Sequence, residues 1–152
     1  MVGRKPSHMA RALAEARAAG ARDEVPVGAA VVDGRTGEVL AAEGNRTRER
    51  GDPTAHAEML ALRQAAAAVG NERLVDCDLY VTLEPCPMCA AAIALARIRR
   101  LYYGAADPKG GGVVHGPRIF EQPTCHHRPE VYGGIDETRA GELLRDFFAA
   151  RR

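Results

Sequence analysis

The chain has 152 residues, of which 46% are hydrophobic and 27% charged, and its formal net charge is +1. That length suits one domain, residues 1–152, built around one substantial core, and is short for two. No apolar run is long enough to cross a bilayer, and the balanced charge gives no strongly basic nucleic-acid footprint.

All but two of the basic residues are Arg, gathered at Arg46, Arg48 and Arg50, at Arg97, Arg99 and Arg100, and at Arg151 and Arg152. Such clustering suits either coding bias or phosphate contacts. No charged segment leads into an uninterrupted apolar signal core, so a secretory peptide is not expected and the cytoplasm is the expected compartment. In that setting two of the four cysteines, in a CxxC, signal metal or redox chemistry more than structural disulfides.

Residues 1–6 are expected to be unstructured. Ser7 then predicts an N-cap for a helix to about Ala19, with Ala12, Leu13 and Ala16 on one face and Gly20 ending it. An apolar run from Val27 to Val32, the turn residues 33–37 and Val39 to Ala42 predict a hairpin. Gly28, Ala29 and Ala30 are small enough for a ligand or a helix to come close to the backbone.

After a polar loop holding Asn45, Asp52-Pro53 resembles the cap and first residue of a helix that Gly70 closes. Its stripe Ala55, Met59, Leu62, Ala66 and Val69 predicts the buried face. Leu79 to Leu83 predicts a strand, and Pro87 opens a second helix through Ile98, apolar nearly all round and so expected to be buried. Leu101-Tyr102-Tyr103 is a further strand candidate. The Gly- and Pro-rich stretch from Asp107 to His127 reads as a functional or flexible loop, stiffened at Ile119 and Phe120. A last helix from about Asp136 is expected to bury Leu143, Leu144, Phe147 and Phe148. Strands alternating with helices predict an α/β fold, one sheet with helices on both faces.

Two motifs carry chemistry. In Pro85-Cys86-Pro87-Met88-Cys89 the two sulfurs are three residues apart at a helix start, where both can project to one side and the helix dipole favours thiolates. Upstream, His56-Ala57-Glu58 offers an imidazole and a carboxylate. His56, Cys86 and Cys89 together are three protein ligands with one open tetrahedral position, the arrangement of a catalytic zinc. Glu58 would carry protons for a hydrolysis. Because i and i+2 lie on different sides of an ideal helix, His56 and Glu58 can act together only from its open N-terminal tip. Taken alone, the CxxC also suits a thioredoxin-like redox pair, and His115, His126 or His127 could close a structural zinc site. A zinc-stabilised RNA-binding module is a non-enzymatic reading, to which Glu58 would contribute nothing.

HxE followed by PCxxC is the signature of zinc nucleobase deaminases, in which the Glu is the general acid/base. Over almost its whole length the chain resembles the bacterial tRNA adenosine deaminases, which convert the wobble adenosine to inosine. The likeness covers Glu24 to Ala29, Asn45, Asp52 to Glu58, Thr82 to Cys89, Arg97-Ile98, Tyr103 to Ala105, Asp107 and Phe147-Phe148 with Arg151-Arg152. It implies a cytidine-deaminase-like three-layer α/β/α sandwich with one mixed sheet, a Zn2+ cofactor, a homodimer with active sites near the subunit interface, and a tRNA anticodon loop as partner. It also implies that Asn45 bonds the nucleoside and that the backbone at Ala57 helps to read the base edge. Val27, Glu84 and Pro85 would contact the substrate and Asp107 a neighbouring nucleotide, with Phe147, Phe148 and Arg151 near the anticodon loop.

One region departs from the commonest family pattern. Where a Thr-Gly-Ala and Gly-Ser-Leu-like segment and an Asn ahead of His-Arg are expected, the chain has Gly110 to Gly116 and then Cys125-His126-His127-Arg128. Relatives with the same zinc core deaminate free guanine, cytosine or triazine-like bases. The alternative reading is therefore a free-nucleobase deaminase.

Overall fold

A computed structural model describes residues 7–151, so the expectation for residues 1–6 lies outside the described chain, as does Arg152. Five strands form one mixed sheet in the order β2-β1-β3-β4-β5. These are β1 (Gly28–Asp33), β2 (Val39–Gly44), β3 (Cys77–Leu83), β4 (Arg100–Ala105) and β5 (Glu130–Tyr132). The first hairpin is antiparallel, β1 pairs antiparallel with β3 as well, and β3-β4-β5 run parallel. Parallel pairing requires crossovers. The helix α4 (Pro87–Leu95) makes the first of them, from β3 to β4.

Alternation along the strands separates two packed layers. Val31, Leu79, Val81 and Leu101 join the larger core with α3 (Ala57–Val69) and α4, whereas Tyr80 and Tyr102 point to the opposite layer, formed by α1 (His8–Ala21) and α5 (Glu137–Ala149). The expected sandwich, with helices on both faces of a mixed sheet, is what forms. On the α1 side Tyr80 stacks on Tyr102 at 4.5 Å and Tyr102 on Tyr132 at 5.1 Å, a ladder across β3, β4 and β5.

Ser7 caps α1 as expected, its Oγ accepting from the Ala10 N–H at 3.2 Å. The small residues of β1 admit a helix: a Cβ on Gly28 would stand 2.0 Å from the Ala12 carbonyl oxygen of α1. Four expectations need correction. Asp52-Pro53 does not begin α3. Its carboxylate instead closes a local turn, accepting from the Thr54 N–H and hydroxyl, and the helix starts at Ala57. The loop before it holds a short helix α2 (Thr47–Arg50).

Of the expected stripe only Ala55, just ahead of α3, and Leu62 are buried; the rest of the buried face is Ala57, Leu60, Ala61 and Ala65, while Val69 is 47% exposed. An Ala-rich helix carries two apolar stripes, and the one with alanines four apart sits closest to the sheet. Next, α4 ends at Leu95, which is 72% exposed, and the chain leaves it through Arg97 in the left-handed region at φ 62°. Finally, α5 fully buries only Ala140; Leu143, Leu144 and Phe147 are half-buried and Phe148 is exposed. The short edge strand β5 and the 3-10 turn Ile119–Glu121, which buries Phe120, lie in stretches that carried no strong periodic signal.

Candidate metal centre and active site

His56 and Cys86 are the N-cap residues of α3 and α4, both with extended backbone and neither using its side chain as a cap. Two helix N-termini therefore converge, and their positive dipole ends favour anionic groups between them. Cys89 lies in the first turn of α4 and is fully buried. The Cys86 and Cys89 sulfurs stand 3.6 and 3.5 Å from His56 Nδ1, and all three donor atoms fall within 4.8 Å of one another.

Because His56 precedes the helix, it is not bound by helical i, i+2 geometry, and Glu58 can serve the same corner. Its side chain is buried at 4% exposure. Burial pushes the Glu58 carboxyl up to about 7, reinforced by charge on Cys86 and opposed by its own backbone N–H and by His56. Between the thiols, the bond from Cys89 and that to His56 outweigh burial and bring Cys86 down to about 4. Cys89 is pushed up by that same bond and by burial. His56 is raised, chiefly by its bond to Cys86. One nitrogen and two sulfurs, one of them readily a thiolate, form a donor set that fits zinc and supplies three protein ligands. His115 and His127 do not complete it. Their rings turn to Glu84 Oε1 at 2.8 Å and to the Ile98 carbonyl at 2.6 Å, and among the described residues no fourth His, Cys or carboxylate joins the cluster.

Asn45 reaches the same corner. Its Oδ1 accepts from the Ala57 N–H at 2.9 Å and its Nδ2 donates to the Val25 carbonyl at 3.2 Å, leaving the second amide N–H. The Ala57 amide, expected to read a base edge, is thus already engaged. Val27 is buried in the core and its carbonyl accepts from the Asn45 N–H at 3.1 Å. Pro85 is buried, with its carbonyl accepting from the Gly112 N–H at 2.8 Å.

Glu84 differs from the expectation most. Its side chain is 0% exposed and both oxygens are taken, so it has no reach toward a substrate. Oε1 accepts from the Asp107 N–H at 3.0 Å and faces His115 Nδ1; Oε2 accepts from the N–H groups of Val113, Val114 and His115 at 3.2, 3.0 and 3.1 Å. Burial acts to raise this carboxyl, yet the bonds from His115 and the backbone hold it below its usual range. Asp107 is half-buried and its Oδ1 accepts from the Gly110 N–H.

Away from the metal corner, Arg151 lies 3.4 Å from the centre of the Phe147 ring and pairs with Asp23, which also binds Arg48 at 2.8 Å. Phe148 meets Phe147 edge-on and stays 47% exposed. Glu24, 1% exposed and part of the family likeness, accepts with its carboxylate from the N–H groups of Arg48 and Glu49 and so anchors α2 beside this cluster.

Residues 4–105 match the cytidine and deoxycytidylate deaminase zinc-binding region. A tRNA-specific adenosine deaminase of Agrobacterium fabrum is 63% identical over 145 residues, covering 95% of this chain and 93% of that one. A solved structure from studies of A-to-I editing by tRNA:A34 deaminases at the wobble position superposes with a TM-score of 0.87 at 62% identity, covering 90% of this chain and 97% of its own. The guanine deaminase of Nitrosomonas europaea superposes with a TM-score of 0.83 at 28% identity, covering 98% and 87%. With the ligand set, the fold and these likenesses in agreement, the chain belongs to the zinc-dependent cytidine and deoxycytidylate deaminase family, in its branch of tRNA-specific adenosine deaminases.

Proposed function

We propose that residues 1–152 act as one deaminase domain that converts the wobble adenosine of tRNA to inosine with release of ammonia. The observation that carries the chemistry is the meeting of His56, Cys86 and Cys89 within 4.8 Å beside the buried Glu58. Identity of 62–63% to tRNA adenosine deaminases, against 28% to the guanine deaminase, supports the tRNA substrate.

His56, Cys86 and Cys89 would hold the metal. When bound, zinc supplies a Lewis acid that makes water nucleophilic near neutral pH. Glu58 does the proton work: a carboxyl near 7 takes one proton from the attacking water and passes it to the ring nitrogen, then takes the second from the new hydroxyl and passes it to the departing amine. Water adds at the purine carbon and the C–N bond breaks; the ring nitrogen keeps the first proton and ammonia leaves with the second, so no oxidant or reductant enters. Asn45 keeps one amide N–H for the nucleoside. The exposed Phe148, beside Phe147 and Arg151, suits stacking with bases and contact with phosphate in an anticodon loop. A homodimer is supported by the groove in which Met59, Leu62, Ala92 and the exposed Leu95 lie among Arg63, Glu72, Arg73 and Arg97. No helix of the described residues is long and apolar enough to cross a membrane, and a tRNA substrate supports a cytoplasmic place of action.

The test is product analysis by mass spectrometry after incubation with an anticodon stem-loop and, separately, with free adenine, guanine and cytosine. Inosine in the stem-loop is expected. Rapid turnover of a free base with the RNA unedited would reverse the assignment.

A further inference from the structure

The segment that departs from the family pattern is wrapped around one side chain. Glu84 sits two residues before Cys86, and its two oxygens gather the backbone N–H groups of Asp107, Val113, Val114 and His115 together with the His115 ring. Because an ionised carboxylate only accepts, His115 Nδ1 carries the proton in that bond.

The same wrapping presses the segment onto the backbone of the ligand turn. A Cβ on Gly112 would lie 2.6 Å from Pro87 Cα and N and 2.9 Å from the Cys86 carbonyl carbon; one on Gly111 would lie 2.4 Å from Glu84 Oε2. The Gly112 N–H donates to the Pro85 carbonyl and the Glu84 N–H to the Ala105 carbonyl, both at 2.8 Å. Prolines on either side of Cys86 remove two backbone donors and fix two φ angles. The Cys86 carbonyl accepts from the Ala90 N–H of α4 at 2.9 Å, and the segment that Glu84 gathers presses on the same turn from the other side. Cys89, inside α4 and fully buried, has its own helix to hold it.

We infer that Glu84 is a positioning residue for the metal: by folding residues 107–115 against Pro85-Cys86-Pro87, it sets the place of the Cys86 sulfur. This rests on the metal-centre reading of His56, Cys86 and Cys89. It gives Glu84 a role that its sealed side chain could not play toward a substrate. It also accounts for Gly111 and Gly112, which have no room for a side chain, and gives His115 a part as the one side-chain donor, itself 35% exposed.

The test uses the full chain loaded with zinc or cobalt(II), with no RNA or nucleoside present. In Glu84→Gln an amide N–H2 faces backbone donors, and zinc affinity, read by competition with a chromophoric chelator, should weaken by ~10–100-fold, the usual cost of losing a group that orients a ligand. The thiolate-to-cobalt absorption of the same variant should shift in energy or intensity. Should that variant not fold, His115→Ala, which keeps the four backbone bonds, should weaken zinc binding by a smaller factor. Gly112→Ala, which pushes on Pro87 with Glu84 intact, should alter the cobalt spectrum. Native zinc affinity and a native cobalt spectrum in the folded variants, with only a lower Tm, would make Glu84 a purely structural anchor and overturn the inference. A native protein that binds neither ion would instead overturn the metal-centre reading beneath it.

Discussion

Glu58 and Glu84 are two buried glutamates at the same end of the sheet, exposed to 4% and 1%, and their surroundings treat them in opposite ways. Around Glu58 burial dominates, and the carboxyl rises to about 7. Glu84 meets five donors, and its carboxyl falls below the ordinary value. A dry carboxyl near neutrality can take a proton and give it back; a saturated one can only hold structure. Residue type and burial thus leave the role open, and the supply of donors decides it.

Exchange of each carboxyl for an amide should separate the two roles, with the largest effect at Glu58, the proposed proton carrier. Glu58→Gln should lower kcat for deamination by ~10^2–10^4-fold while the protein keeps its zinc, because only the proton transfer is lost. Equal ammonia release from native and variant protein would remove Glu58 from the mechanism. Next in size, Glu84→Gln assayed at limiting zinc should lose activity by roughly the 10–100-fold of its weakened metal binding. Excess zinc should restore most of that activity and none of the activity of Glu58→Gln, so rescue of both or of neither would merge the two roles.

The metal-free protein should show the contrast in stability. Glu58 is raised from an ordinary 4.5 to about 7, so its protonated form favours folding below 4.5 and that contribution is lost as pH rises to 7, by roughly 3 kcal/mol at about 1.4 kcal/mol per pH unit. Glu58→Gln should therefore unfold at higher denaturant than the native chain at pH 8. Glu84, lowered, contributes stability above 4.5 and loses it as the medium is acidified through its folded value, so Glu84→Gln should be the less stable protein at neutral pH and converge on the native chain in acid. Parallel pH profiles for the two variants would contradict the opposite shifts. The smallest expected change is none. Glu58→Gln should bind the stem-loop as tightly as the native protein, since Glu58 acts on the reaction and not on the bound ground state; a large rise in Kd would make it a binding residue.

The metal corner was legible because its residues are chemically rare and their spacing is short: a thiol pair behind Pro85 and an imidazole next but one to a carboxylate. Strand and helix order followed from periodicity and from Ser7, Gly70 and Pro87 as punctuation. Helix faces did not. In α3 the alanines give two equivalent stripes, and in α5 the pattern of Leu143, Leu144, Phe147 and Phe148 has no information on how far the helix stands off the sheet. The role of Glu84 was hidden for a different reason. Four of its five partners are backbone N–H groups, which every residue but proline carries, so only the run Gly110-Gly111-Gly112 hinted at a close approach.

The convergence of two helix caps also bears on chain entropy. His56 and Cys86 are 30 residues apart, and a cation held between them joins the start of α3 to the start of α4 much as a covalent bridge would. By the loop-closure relation for such bridges, a link of that span removes unfolded-state freedom equivalent to roughly 3–4 kcal/mol. Loss of the ion would release that cross-link together with the chemistry, so the proposed site of reaction would also be a staple across the middle of the chain.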